Sequence, residues 1–211
     1  YLESIGEMDN TILMYTSDNG AHFAANETGH QLEFFDSNGP LKGGKRDLYE
    51  GGVRVPLLVC WRDKIKPGSI TNHISAFQDL MPTFAEIIGS EKPEQSNGIS
   101  FLPTLLGKAQ KKHEYLNWEF QLSGWFQPLP DGGFRQSVRI GQWKGVRYGI
   151  ESKIELYNLN NDESETNDLS DEHPEIIARI AEIFQSTRNQ APAFPYGGIV
   201  QEHISMHRST N

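Results

Sequence analysis

Two short stretches of this 211-residue sequence combine residue types and spacings that can do chemistry. Asp18 and Asn19 lie in Thr16-Ser17-Asp18-Asn19-Gly20, directly after the apolar run Thr11 to Thr16. A strand that ends in a carboxylate and an amide points both toward the crevice where α/β proteins bind ligands. Their hard oxygens are the donors that Ca²⁺ or Mg²⁺ prefers. Asp-Asn-Gly also closes strands as an Asx-turn for conformational reasons alone, so the pair by itself carries both readings. Lys45 opens the second stretch, Lys45-Arg46-Asp47-Leu48-Tyr49-Glu50-Gly51-Gly52-Val53-Arg54. A lysine can present a point charge to a tetrahedral oxyanion. Two consecutive glycines permit positive φ and close backbone approach. A solvated basic segment with a glycine turn is the plainer account. His22 follows the Asp-Asn pair closely and could touch a substrate, or simply occupy a surface loop.

The remaining candidates are weaker. His203 and His207 stand four apart, a spacing that binds zinc on a helix, but no third ligand accompanies them. They read as part of an irregular tail over 191–211. Cys60 sits inside an apolar run and reads as a small buried hydrophobe. As a lone cysteine it excludes an internal disulfide framework. The Trp and Tyr residues of the second half read as sheet core, with Trp125 and Phe126 as candidates for exposure beside Gly124 and Pro128.

The elements that must position these groups follow from periodicity. Thr11 to Thr16 and Val55 to Trp61 are nearly continuous apolar runs, the pattern of strands buried on both faces. Residues 21–54 between them show no period and read as a long functional or disordered loop. A helix then starts at Asp79 as N-cap, takes Pro82 in its first turn and ends before Gly89. Leu80, Phe84, Ile87 and Ile88 give it an apolar face. After residue 112 aromatic and β-branched segments alternate with turns at Tyr115 to Phe120, Gln136 to Tyr148 and Ile154 to Tyr157, which predicts a small antiparallel sheet. Pro174 opens a second helix with Ile176, Ile177, Ile180, Ile183 and Phe184 on one stripe. Asp171, Glu172 and Glu175 at its start and Arg188 at its end suit the helix dipole.

The expected architecture is α/β: part of an unfinished sheet domain over 1–112, an α+β subdomain over 113–190, and the tail. A formal net charge of −9 argues against nucleic acid as the main partner, because phosphate backbones need clustered cations. No apolar run reaches membrane-spanning length. No signal peptide is visible, and the polar opening Tyr1-Leu2-Glu3-Ser4 reads as the middle of something longer.

Taken in order, the segments resemble the formylglycine-dependent type I sulfatases of the alkaline phosphatase superfamily. The series is Thr16 to Gly20, Asn38-Gly39-Pro40-Leu41, Lys45 with Glu50 to Pro56, Asp79-Leu80-Met81-Pro82-Thr83, and Gly98 to Pro103. It continues through Asn117-Trp118-Glu119, Arg139 to Lys144, Glu155 to Leu159 and Glu165 to Leu169. The resemblance implies the C-terminal part of an alkaline-phosphatase-like α/β domain followed by its subdomain. It implies that Asp18 and Asn19 are the second pair of calcium ligands and that Lys45 binds the substrate sulfate, with His22 a further substrate contact.

The nucleophile implied by the resemblance, a formylglycine made in a Cys- or Ser-x-Pro-x-Arg motif, belongs to sequence upstream, as do the first calcium aspartates. The chain on its own is therefore expected to be inactive and to need the N-terminal part of its own full-length polypeptide. The substrate implied is a sulfate ester, of a carbohydrate by similarity to bacterial arylsulfatases and N-acetylgalactosamine-6-sulfatases. Periplasmic or extracellular location is a family expectation. Two rivals stand beside this reading: a phosphate-transferring member of the superfamily, and a non-catalytic carbohydrate-binding module.

Overall fold

The computed structural model describes residues 1–22, 32–122, 132–188 and 196–197. In chain order the elements are β1 (Ile12–Thr16), α1 (Leu32–Phe35), α2 (Glu50–Val53), β2 (Leu57–Trp61), α3 (Leu80–Ile87) and α4 (Leu102–Leu105). They continue as β3 (Leu116–Gln121), β4 (Phe134–Ile140), β5 (Trp143–Tyr148), β6 (Glu155–Asn158) and α5 (Pro174–Ser186). The chain packs as two compact units. One comprises Tyr1–Ser17 and Pro56–Glu114, the other Asp18–Val55 and Tyr115–Asn211. The boundary expected after residue 112 places 18–55 with the first block, whereas the compact units place it with the second.

In the first unit β1 pairs antiparallel with β2, Ile12 opposite Trp61 and Thr16 opposite Leu57. The expectation of strands buried on both faces is corrected: Tyr15 is 68% and Leu58 59% exposed. Among the described residues this sheet has two strands, and the face that carries Tyr15 and Leu58 has no second layer packed on it, so its apolar side chains meet solvent. Cys60 shares that fate and is exposed rather than buried. Helix α3 forms where predicted and ends before Gly89, whose φ of +70° suits a left-handed helix stop. Its buried residues are Pro82, Thr83 and Ala85, while Phe84 is 43% and Ile88 78% exposed, so much of the predicted apolar face is uncovered.

Asp79 stands at the N-cap position of α3 without making a side-chain capping bond. Its fully buried carboxylate instead accepts the Ala76 N–H (2.8 Å) and the Ile99 N–H (2.7 Å), and lies 2.9 Å from His113 Nε2. Thr83 Oγ1 donates to the Asp79 carbonyl and accepts the Phe101 N–H. Asp79 is thus a hub for three segments of this unit.

In the second unit β3, β4, β5 and β6 form an antiparallel sheet in that order, as the alternating segments predict. Gly141, at φ +55°, turns the Gln136 to Tyr148 segment into two strands. Side chains alternate between the two sheet faces. Val138 and Leu156 meet Ile180, Ile183 and Phe184 of α5, with Ile176 and Ile177 packed against the edge of that core. Arg139, Lys144 and Tyr157 line up across three strands, on the opposite side of their strands from Val138 and Leu156. They hold the segment that carries Lys45.

Of the tail only residues 196–197 are described, and His203, His207, Trp125 and Phe126 lie outside the described residues. No helix among the described residues is long and apolar enough to cross a membrane.

Candidate functional site

Asp18, Asn19 and Lys45 all belong to the second unit. The Gly20 N–H donates to the Gly52 carbonyl at 3.0 Å, and the Lys45 N–H donates to the Ala21 carbonyl at 2.8 Å. Two backbone bonds thus lay residues 20–21 along the strap formed by residues 42–54. Asn38 bridges the same two segments, accepting the Ala21 N–H (3.0 Å) and donating to the Gly43 carbonyl (2.7 Å).

Contact this close requires glycine. A Cβ on Gly20 would lie 1.7 Å from the Gly51 carbonyl oxygen. On Gly51 it would lie 2.4 Å from the Gly43 oxygen, and on Gly52 2.1 Å from the Asp47 oxygen. Of the two roles read for the glycine pair, close approach is the one used: neither residue has positive φ. One helical turn, α2, begins immediately at Glu50.

The strap is fastened to the charged face of the four-stranded sheet by side chains on both sides of Lys45. Lys42 Nζ lies 3.9 Å above the Tyr49 ring and donates to Tyr157 Oη (3.1 Å). Both tyrosines donate to Glu155 Oε2, at 2.6 and 2.5 Å. Burial, and then the Glu155 carboxylate, push both phenols well above their usual range and keep them protonated donors. Tyr148 Oη donates to Asp47 (2.9 Å) and accepts the Leu48 N–H (3.1 Å).

Deeper lies a buried ionic cluster. Lys144 Nζ is 2.8 Å from Glu50 Oε1 and 3.8 Å from Glu165 Oε1. Arg139 reaches Glu50 Oε2 at 3.3 Å. Glu165 Oε2 accepts the Glu50 N–H at 2.6 Å. Burial pushes the Glu165 carboxyl up to about 7, against the opposing pull of Lys144 and the Glu50 N–H.

Residue type and spacing do not single out these supporting residues; Glu50, Lys144 and Glu165 stand in the sequence only as members of the ordered motifs. A lysine between Trp143 and Gly145, near the start of a segment that reads as a strand, is the one local signal in the sequence.

The predicted ligands themselves are simply placed. Asp18 is exposed, and no partner of its carboxylate is found among the described residues. Asn19 is half-buried and its Nδ2 donates to the Gly20 carbonyl (3.0 Å). His22, half-buried, is the last described residue before 32. Lys45 is half-buried, and no ion pair of its ammonium is found among the described residues. A carboxylate and an amide oxygen fit a hard cation in kind. They fall short in number, since calcium takes about six to eight oxygens. No group of three His, Cys, Asp or Glu side chains among the described residues is placed to hold a metal.

This fold is that of the C-terminal part of a sulfatase of the alkaline phosphatase superfamily. A family profile described as N-sulphoglucosamine sulphohydrolase, C-terminal, matches residues 43–190, and the chain belongs to that family. It is 28% identical over 200 residues to the N-acetylgalactosamine-6-O-sulfatase of Bacteroides thetaiotaomicron, covering 90% of this chain and 38% of that protein. It is 39% identical over 119 residues to the steryl-sulfatase of Mus musculus, covering 54% of this chain and 19% of that protein. The crystal structure of Ps i-CgsB in complex with k-i-k-neocarrahexaose superposes with a TM-score of 0.74 at 25% identity, over 98% of this chain and 43% of that one. The chain therefore spans well under half the length of these relatives.

Proposed function

We propose that this chain supplies the calcium- and sulfate-binding C-terminal part of a sulfatase that hydrolyses sulfate esters of carbohydrates. The observation that carries the reading is the pairing of residues 20–21 with 45–52, which holds Lys45 within a few residues of Asp18 and Asn19. In this role Asp18 and Asn19 give two oxygen ligands to Ca²⁺. Lys45 neutralises charge on the sulfate oxygens, and His22 is a further substrate contact.

The bound calcium would polarise the sulfate group and orient it for attack. This chain's own part is to hold a cation and an ammonium at a fixed spacing, where negative charge develops in the transition state. The nucleophile, expected as formylglycine, and the remaining calcium ligands would come from the N-terminal part of the full-length polypeptide. A periplasmic or extracellular setting is part of the same proposal. A carbohydrate substrate is favoured because the relative named for a sugar sulfate aligns with 90% of the chain, the steryl-sulfatase with 54%.

The test is made in the polypeptide extended to the length of its relatives, with an aryl sulfate and an N-acetylhexosamine 6-sulfate as substrates. Lys45→Ala is expected to lower kcat/KM for both by about a hundredfold or more, the scale of losing one transition-state anion contact. Chelating calcium should abolish turnover, and returning Ca²⁺ but not Zn²⁺ should restore it. Activity that survives both Lys45→Ala and chelation, or that requires two zinc or manganese ions, would overturn the reading.

A further inference from the structure

Residues 44–47 close on a hydrogen bond from the Asp47 N–H to the Gly44 carbonyl, 2.8 Å long. Arg46, the third residue of this turn, has φ +81°, while Lys45, the second, is not in the positive region. That is the pattern of a type II turn, whose third position favours glycine or asparagine. Left-handed backbone crowds the Cβ of an L residue against its own carbonyl oxygen.

Four non-glycine residues among those described take positive φ: Asp36, Arg46, Asp63 and Glu165. The short polar side chain of aspartate tolerates this conformation. Glu165 uses its carboxylate internally, on the Glu50 N–H. Arg46 has neither excuse. It is exposed, and no partner of its guanidinium is found among the described residues.

Its backbone, by contrast, is firmly held. Arg135 Nη1 donates to the Arg46 carbonyl (3.0 Å) and pairs with Asp47 (3.1 Å), and its guanidinium lies 4.1 Å from the Tyr148 ring centroid. Asp47 Oδ2 also accepts the Gly44 N–H at 3.0 Å. A disfavoured conformation that its surroundings over-determine, next to the candidate sulfate lysine, is the kind of strain found at functional positions.

We propose that Arg46 is a specificity-determining residue that binds a second negative group of the substrate, a further sulfate or a carboxylate on the same saccharide. The planar guanidinium fork matches either group bidentately. This rests on the proposed function, since it takes Lys45 as the contact of the sulfate that is cleaved.

Arg46→Gly separates recognition from folding, because glycine is the residue this turn position prefers. In the polypeptide extended to the length of its relatives, the variant should keep or raise the thermal midpoint. Its kcat/KM for a hexosamine bearing two sulfates should fall about tenfold further than for the same hexosamine bearing one, with most of the loss in KM. Arg46→Lys should recover only part of that discrimination, lacking the fork.

Equal losses on the two sugars, or no loss on either, overturn the proposal. Lys45→Ala serves as the reference, expected to depress both sugars alike. If the parent hydrolyses neither sugar, the proposed function falls. Calorimetric binding of the disulfated hexosamine to the parent and to Arg46→Gly then decides the role of Arg46. Weaker binding by the variant supports it; equal affinity, or no binding by the parent, overturns it.

Discussion

Lys144 has no exposed surface, yet it carries an ammonium into the interior of the second unit. Removing a charge from water costs several kcal/mol per ion, and is tolerated only where the charge is paired and hydrogen-bonded. The pairing is Glu50 and Glu165, with Arg139 behind Glu50. Balance within the cluster is incomplete, because Glu165 Oε1 is buried, has no hydrogen-bond partner among the described residues, and is 3.8 Å from Lys144. Hence burial dominates and raises the Glu165 carboxyl to about 7.

A carboxyl whose folded pKa is raised binds more protons in the native state than in the unfolded one. The stability this contributes is fully present below the unfolded value near 4.5 and is lost as pH rises through about 7. At about 1.36 kcal/mol per pKa unit, the rise is worth roughly 3 kcal/mol. We expect the thermal midpoint to decline between pH 5 and 8, with Glu165→Gln flattening that decline. A parent and variant with parallel pH profiles would show that Glu165 ionises freely.

The candidate site is two chain segments pressed together at glycines rather than a pocket lined by one helix or strand. A Cβ on Gly20 would collide with the Gly51 carbonyl, and both atoms belong to backbone that is hydrogen-bonded in place. Relief would require residues 18–21 to lift from the strap, separating Asp18 and Asn19 from Lys45. Gly20→Ala is therefore expected to lower sulfate-ester turnover by the extended polypeptide at least a hundredfold. Core burial around α5 should be untouched, so the thermal midpoint should fall by only a few degrees. Near-normal turnover by Gly20→Ala would mean that the pairing of the two segments is dispensable.

This arrangement was only partly legible beforehand. β3 to β6 and α5 could be picked out by alternation and an apolar stripe, because those signals are local, while residue type and motif order name Lys45, Asp18 and Asn19 as candidates. The strap's fastening was not legible. Lys42 with Tyr157, Tyr49 with Glu155 and Lys144 with Glu50 are separated by about a hundred residues, and no period or spacing encodes such pairs. For the same reason the apolar run around Leu58 and Cys60 predicts burial where the structure shows exposure: an apolar run states a preference for cover, not whether this chain supplies it.

That last point bears on the molecule as a whole. The second unit buries a contiguous core of Val138, Ile154, Leu156, Ile180, Ile183 and Phe184. The first leaves Tyr15 and Leu58, which pair on one face of its sheet, exposed together with Leu13 beside them, and also leaves Met81, Phe84 and Ile88 of α3 exposed. The N-acetylgalactosamine-6-O-sulfatase relative is matched over only 38% of its length, so polypeptide of the kind that could cover this surface exists in the family.

The purified 211-residue chain is accordingly expected to bind a hydrophobic dye such as ANS strongly and to hydrolyse no aryl sulfate. The polypeptide extended to the length of its relatives should bind little dye and turn the substrate over. Substituting Leu58→Lys together with Tyr15→Lys separates the two effects. It should reduce dye binding by the short chain, through loss of exposed apolar area. In the extended polypeptide it should destabilise, because two charges would then be buried without partners. If the double variant leaves the extended polypeptide as stable as its parent, that face is solvent-exposed there too. Aryl sulfate turnover by the short chain alone would show that these 211 residues hold a complete catalytic centre.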